Sequence, residues 1–233
     1  MSAFLSWMKK DFLEGYTLFE KVFLMSMVLL QVVVYCIVPD SMIGMICGVS
    51  GVICVVLTAK GKLISYLFNF IQIVTYMYIC WGVGLYLEFA ENIFYFVTCI
   101  LGVFLWKKNM TVNEDGSEQV ITKKFQAKHW IATVVISVIG TVILGYIGEH
   151  YLNSTLPYYD ALTNVLALVA QMLMVWRFRE QWLVWIVIDV TCLIMFTLLC
   201  QWSMVAMYIA WTINAIYGWI NWSKLNKAQE VLT

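Results

Sequence analysis

Residues 176–196 read WRFREQWLVWIVIDVTCLIMF: two arginines, then an apolar run interrupted by a single acid, Asp189. About 20 apolar residues in a helix are enough to cross the hydrocarbon core of a bilayer. In a helix, Trp182, Trp185 and Asp189 stand three and then four residues apart, which puts them on one stripe. Asp189 is the one formally charged residue that the sequence places deep in an apolar run. A carboxylate there is expensive to desolvate, and by default it marks a functional interior.

The rest of the chain has the same apolar character. With 63% hydrophobic and 12% charged residues and a mean hydropathy of +0.84, it lies outside the range of soluble domains. Its runs have helical length and lack the ten-residue alternation of a barrel, so the fold class is an all-α integral membrane protein. The zero net charge says little about partners, but no basic stripe suggests nucleic acid, and none is expected. The seven cysteines are odd in number and never spaced Cys-x-x-Cys, which reads as free buried thiols. His129 and His150 fall near span ends, so no metal or other cofactor is expected. The start, MSAFLSWMKKDFLEGYTLFEK, reads as an amphipathic segment on the membrane surface, not as a cleaved signal.

Eight transmembrane spans are predicted, at roughly 22–38, 41–59, 63–81, 88–106, 131–149, 159–176, 182–200 and 203–222. All fourteen lysines and arginines then fall on one side: Lys9, Lys10 and Lys21 before the first span, Lys60 and Lys62 after the second, five lysines from Lys107 to Lys128 after the fourth, Arg177 and Arg179 after the sixth, and Lys224 and Lys227 after the eighth. Positive charge stays cytoplasmic, so both termini are placed in the cytoplasm. A polar linker from Lys107 to His129 divides the chain.

Sliding the second part over the first by 120 positions brings Asp160 onto Asp40, Glu180 onto Lys60 and Asp189 onto Asn69. Removing four residues near 82–90 then pairs Trp211 with Tyr95, Asn214 with Thr98, Gly218 with Gly102 and Trp222 with Trp106. This predicts two parallel three-helix repeats joined by a linker helix, a recognised transporter plan. The organisation is an N-terminal segment and extra helix (1–40), a first bundle (41–106), a loop and linker helix (107–150), a second bundle (151–222) and a cytoplasmic tail (223–233).

Counting helical rise, Gln72, Gln171 and Asn214 lie on the order of 14–18 Å deep, and Asp189 about 10 Å from the cytoplasmic end. Span three repeats the stripe of span seven with Asn69, Gln72 and Tyr76, and span eight adds Trp211. Asn and Gln in a membrane also serve as interhelical glue. Trp182, Trp185 and Asp189 together favour a binding site, since indole faces and an acid suit a flat cation. A protonated Asp189 would instead donate a hydrogen bond or carry a proton. A catalytic centre would need more groups than one deep carboxylate, so no enzyme is expected.

The run YYDALTNVLALVAQMLMVWRFREQWLVWIVIDV (158–190), with its Glu-x-Trp-x-x-Trp-x-x-x-Asp core, resembles the second half of the PnuC-type nicotinamide riboside transporters. Asn214-Ala-Ile-Tyr217-Gly218 and Trp222 resemble their last helix. The resemblance implies a bacterial inner-membrane carrier of SWEET-like three-plus-one-plus-three plan with an extra N-terminal helix. It implies facilitated diffusion of a small vitamin that feeds NAD synthesis, with the lipid bilayer as surroundings; a homo-oligomer stays open. Carried over by position, the ligand-facing residues are Trp182, Trp185, Asp189 and Asn214, with Asn69, Gln72 and Tyr76 in the first half. Relatives of the same layout carry thiamine or riboflavin, so the vitamin itself also stays open.

Overall fold

The protein, seen in a computed structural model, is described over residues 16–37, 41–112, 118–151, 156–198 and 200–231. These residues form eight α-helices: α1 (Leu18–Ile37), α2 (Met42–Ala59), α3 (Ser65–Val83), α4 (Tyr86–Lys107), α5 (Ala127–Tyr151), α6 (Pro157–Val175), α7 (Gln181–Leu198) and α8 (Trp202–Val231). Each predicted span falls on one helix. Seven helices are long and apolar enough to cross a membrane; α8, rich in Trp, Tyr and Asn, is less apolar. Helix α8 also runs past the expected exit at residue 222, because its Lys-Leu-Asn-Lys-Ala-Gln-Glu tail is built largely of good helix formers. Hydropathy marks where a helix leaves the membrane, not where it ends. The expected surface segment before Tyr16 and the landmark Asp40 lie outside the described residues.

The 107–129 linker holds a feature that its polarity hid. Strands β1 (Met110–Val112) and β2 (Glu118–Val120) form a two-stranded antiparallel ribbon. Three-residue strands are too short to show a periodicity.

The chain divides into two compact units after Ile121. In the first, α1 packs on α2, α2 on α3 and α3 on α4. Helix α1 opens with a reciprocal capping box: Thr17 N–H donates to Glu20 Oε2 (2.7 Å) and Glu20 N–H to Thr17 Oγ1 (3.3 Å). Glu20 also receives Lys60 Nζ, 2.6 Å away at the end of α2, and Lys60 lies 4.1 Å from the Tyr16 ring centre. In the second unit, α5 packs on α6, α6 on α7 and α7 on α8. The α8 tail holds the start of this unit, with Gln229 Oε1 accepting the Thr122 N–H (2.9 Å) and Asn226 Nδ2 donating to Thr122 O (3.3 Å).

The backbone repeats itself at an offset of 116 residues. Lys62 N–H donates to Leu57 O as Phe178 N–H donates to Leu173 O, and Leu85 N–H donates to Cys80 O as Gln201 N–H donates to Phe196 O. Left-handed residues match as well: Gly61 (φ 69°) with Arg177 (φ 68°), and Gly84 (φ 79°) with Cys200 (φ 53°). The first unit uses glycine, which takes this conformation without penalty, where the second strains a side-chain-bearing residue. The offset of 120 read from spans two and three is therefore corrected, and no residues need removal near 82–90. A slip of four residues is close to one helical turn, so every side chain keeps nearly the same face and sequence periodicity hardly senses the difference. In the corrected register Trp182 matches Tyr66, Trp185 matches Asn69, and Asp189 matches Ile73.

Removing one member of a buried ion pair leaves the other charge uncompensated, at about 3–5 kcal/mol. Glu20→Ala is expected to lower the detergent-phase thermal midpoint sharply, because Lys60 is buried. An unchanged midpoint would show that this pair does not anchor α1.

Candidate functional site

Helix α7 follows a tight turn in which Gln181 N–H donates to Phe178 O (3.2 Å) and Trp182 N–H to Arg179 O (3.2 Å). Arg179 Nε sits 3.0 Å from Glu180 Oε1, and its guanidinium lies 5.1 Å from the Trp219 ring centre. Burial pulls the Arg177 guanidinium pKa down. Lys123, which donates its N–H to Arg177 O (2.8 Å), is lowered by burial and then by the Arg177 charge. These cations frame the end of α7 predicted to be cytoplasmic.

The α7–α8 interface is built on a glycine. A Cβ at Gly218 would lie 2.5 Å from the Trp182 ring, so only glycine lets the indole seat against α8. Trp182 then meets Trp222 edge-on, with ring centres 6.0 Å apart at 79°. The first unit repeats the arrangement: Tyr66 packs on Gly102 and meets Trp106 edge-on at 5.0 Å and 89°. Toward the other end of α7, Phe196 stacks on Tyr208 (5.5 Å) and Tyr208 meets Trp211 edge-on (5.4 Å). Because Trp182 meets Gly218 and Phe196 meets Tyr208, the antiparallel register puts Asp189 about level with Ile213 and Asn214, and Trp185 about level with Ile216.

Asp189 is 4% exposed, and among the described residues no hydrogen bond or ion pair reaches its carboxylate; Cys192 and Tyr208 are its polar neighbours. Trp182 Nε1 and Asn214 Oδ1 are buried without a hydrogen-bond partner, in residues 4% and 3% exposed. Three polar side chains on adjoining helices thus lack protein partners, which native interiors rarely leave so. Such a set can hold a small ligand with hydrogen-bonding groups and a positive charge.

The other candidates lie on α6 and α3. Gln171 is buried on α6 one turn from its end, about level with the first turn of α7. Gln72 lies against Gly51, where an added Cβ would be 2.9 Å from its amide nitrogen, and so belongs to α2–α3 packing. Asn69 is half-buried and Tyr76 is 37% exposed, both on α3. Sequence reasoning missed Glu91, a second acid within a spanning helix, whose Oε1 accepts from Tyr95 Oη at 2.8 Å. It also missed Cys192 and Tyr208, hydrogen-bonded to each other beside Asp189. Their places on the stripes were visible; their partners were not.

A multi-pass helical membrane protein with an aromatic, partnerless polar cluster in its interior has the makings of a small-molecule transporter. Residues 41–224 match the family model described as nicotinamide mononucleotide transporter, and the chain belongs to that family. It is 36% identical to the nicotinamide riboside transporter PnuC of Neisseria mucosa over 96% of this chain and 88% of that one. The PnuC of Haemophilus influenzae is likewise 36% identical, over 94% and 96%. A crystal structure of the vitamin B3 transporter PnuC superposes with a TM-score of 0.82 at 35% identity, covering 96% of this chain and 98% of that one.

Overpacking a close contact costs about 1–3 kcal/mol. Gly218→Ala is expected to lower the thermal midpoint and shift tryptophan fluorescence as Trp182 is pushed off α8, whereas Gly82→Ala, which meets nothing within 4 Å, leaves both unchanged. Equal behaviour of the two variants would remove the glycine seat.

Proposed function

We propose that this protein carries nicotinamide riboside across the bacterial inner membrane by facilitated diffusion. The observation that carries the reading is the buried, partnerless carboxylate of Asp189 on the stripe of Trp182 and Trp185, in a chain whose relatives are named nicotinamide riboside transporters. A pyridinium ring is flat and cationic. Indole faces and a carboxylate in a medium of low dielectric attract it by cation–π contact and Coulomb energy.

The family description names the mononucleotide and the relatives' names the riboside. The two differ by a phosphate. On α7 the basic residues stop before the helix begins, at Arg177 and Arg179, and no lysine or arginine lies along it. An anionic phosphate near Asp189 would be repelled without compensation, so the riboside fits better. The ligand wall in the second unit is Trp182, Trp185, Asp189, Trp211 and Asn214.

The 116-residue offset supports two parallel three-helix repeats, α2–α4 and α6–α8, with α5 as the linking helix and α1 added at the front. In this plan α8 is the eighth crossing and both termini are cytoplasmic. The chain acts as a carrier by alternating access, not as an enzyme.

Calorimetry on the purified protein is expected to give tight nicotinamide riboside binding, with nicotinamide mononucleotide and thiamine weaker by at least ~10-fold, about 1.4 kcal/mol. Trp185→Ala and Asp189→Ala should each cost at least ~10-fold. Preferential thiamine binding would replace the substrate, and unchanged binding in both variants would remove the site. In proteoliposomes, uptake should equilibrate; accumulation driven by an imposed pH gradient would instead make Asp189 a proton carrier.

A further inference from the structure

Gln181, the first residue of α7, is fully buried, and among the described residues neither its amide nitrogen nor its amide oxygen has a hydrogen-bond partner. A carboxamide offers two N–H donors and an acceptor oxygen. Burying all of these unpaired costs more than leaving a single group unmet, and an apolar side chain of the same length would avoid the cost. Native interiors seldom tolerate such a residue unless something outside the chain completes it.

Its position says what that something is. Gln181, Trp185 and Asp189 follow one another at intervals of four residues, so they climb one face of α7 in steps of about 6 Å. From Gln181 to Asp189 the rise is about 12 Å, room for one small ring between a hydrogen bond at one end and a charge contact at the other. Neighbouring groups on this side of the unit, Trp182 Nε1 and Asn214 Oδ1, also lack partners. The first unit has Ser65 at the matching position and so offers no amide there.

We infer that Gln181 is a specificity-determining residue that reads the carboxamide of the ligand, while Trp185 faces its ring and Asp189 its positive charge. This rests on the proposed function. Amide-to-amide pairing is self-complementary, each partner donating one N–H and accepting one. A pyridinium riboside without the carboxamide leaves Gln181 unpaired and is rejected, since a site built to hydrogen-bond a group discriminates strongly against an analogue lacking it.

The test compares nicotinamide riboside with N-ribosylpyridinium, which lacks only the carboxamide, by calorimetry on full-length wild type, Gln181→Met and Asp189→Asn. Wild type is expected to prefer nicotinamide riboside by at least ~10-fold. Gln181→Met should bind the two ligands alike, with the ligand-free thermal midpoint unchanged or raised, because the unpaired amide is gone. Asp189→Asn should weaken both ligands and keep their ratio. A preference retained in Gln181→Met overturns the inference and leaves the carrier reading intact. So does a wild type that binds both ligands equally, a result that needs no variant to fold. A wild type that binds neither ligand overturns the carrier reading and this inference with it.

Discussion

Hydrocarbon offers no hydrogen bonds, so a polar side chain placed within it must find a partner in the protein or meet one that arrives. Much of the polar inventory here obeys the first alternative. Glu20 meets Lys60, Tyr95 meets Glu91, and Tyr159 donates to the Thr191 carbonyl. Among the described residues Trp182, Asn214 and Gln181, on α7 and α8, do not, and Asp189 on α7 has Cys192 and Tyr208 as its polar neighbours. On this helix pair they sit beside aromatic rings, in a chain that belongs to a transporter family.

Packing makes that face possible. Two aromatic rings seated on two glycines, Tyr66 on Gly102 and Trp182 on Gly218, bring α3 to α4 and α7 to α8 at the same place in each unit. The shared offset of 116 extends this to the turns, where Gly61 and Arg177 take the same left-handed conformation. The two units thus share local geometry and differ in chemistry. The second half carries Trp185, Asp189 and Asn214 where the first carries Asn69, Ile73 and Thr98.

Helices were legible because a span needs about 20 apolar residues and a helix hides its own backbone, so hydropathy and length suffice. The stripe of Trp182, Trp185 and Asp189 needed only helical spacing. The register of the repeat was less accessible, because a shift of one turn preserves the face of every residue. Gln72 shows what spacing leaves out: its depth and stripe were legible, but not that its amide lies against Gly51.

By itself, then, the sequence determined a helical membrane protein and the cost of Asp189, both consequences of what each residue loses on leaving water. The tertiary structure alone decided which polar groups are left without partners, and so set Gln181 on the same helix face as Trp185 and Asp189. Partnership depends on atoms of another helix within about 3 Å. No spacing within one helix encodes where those atoms lie.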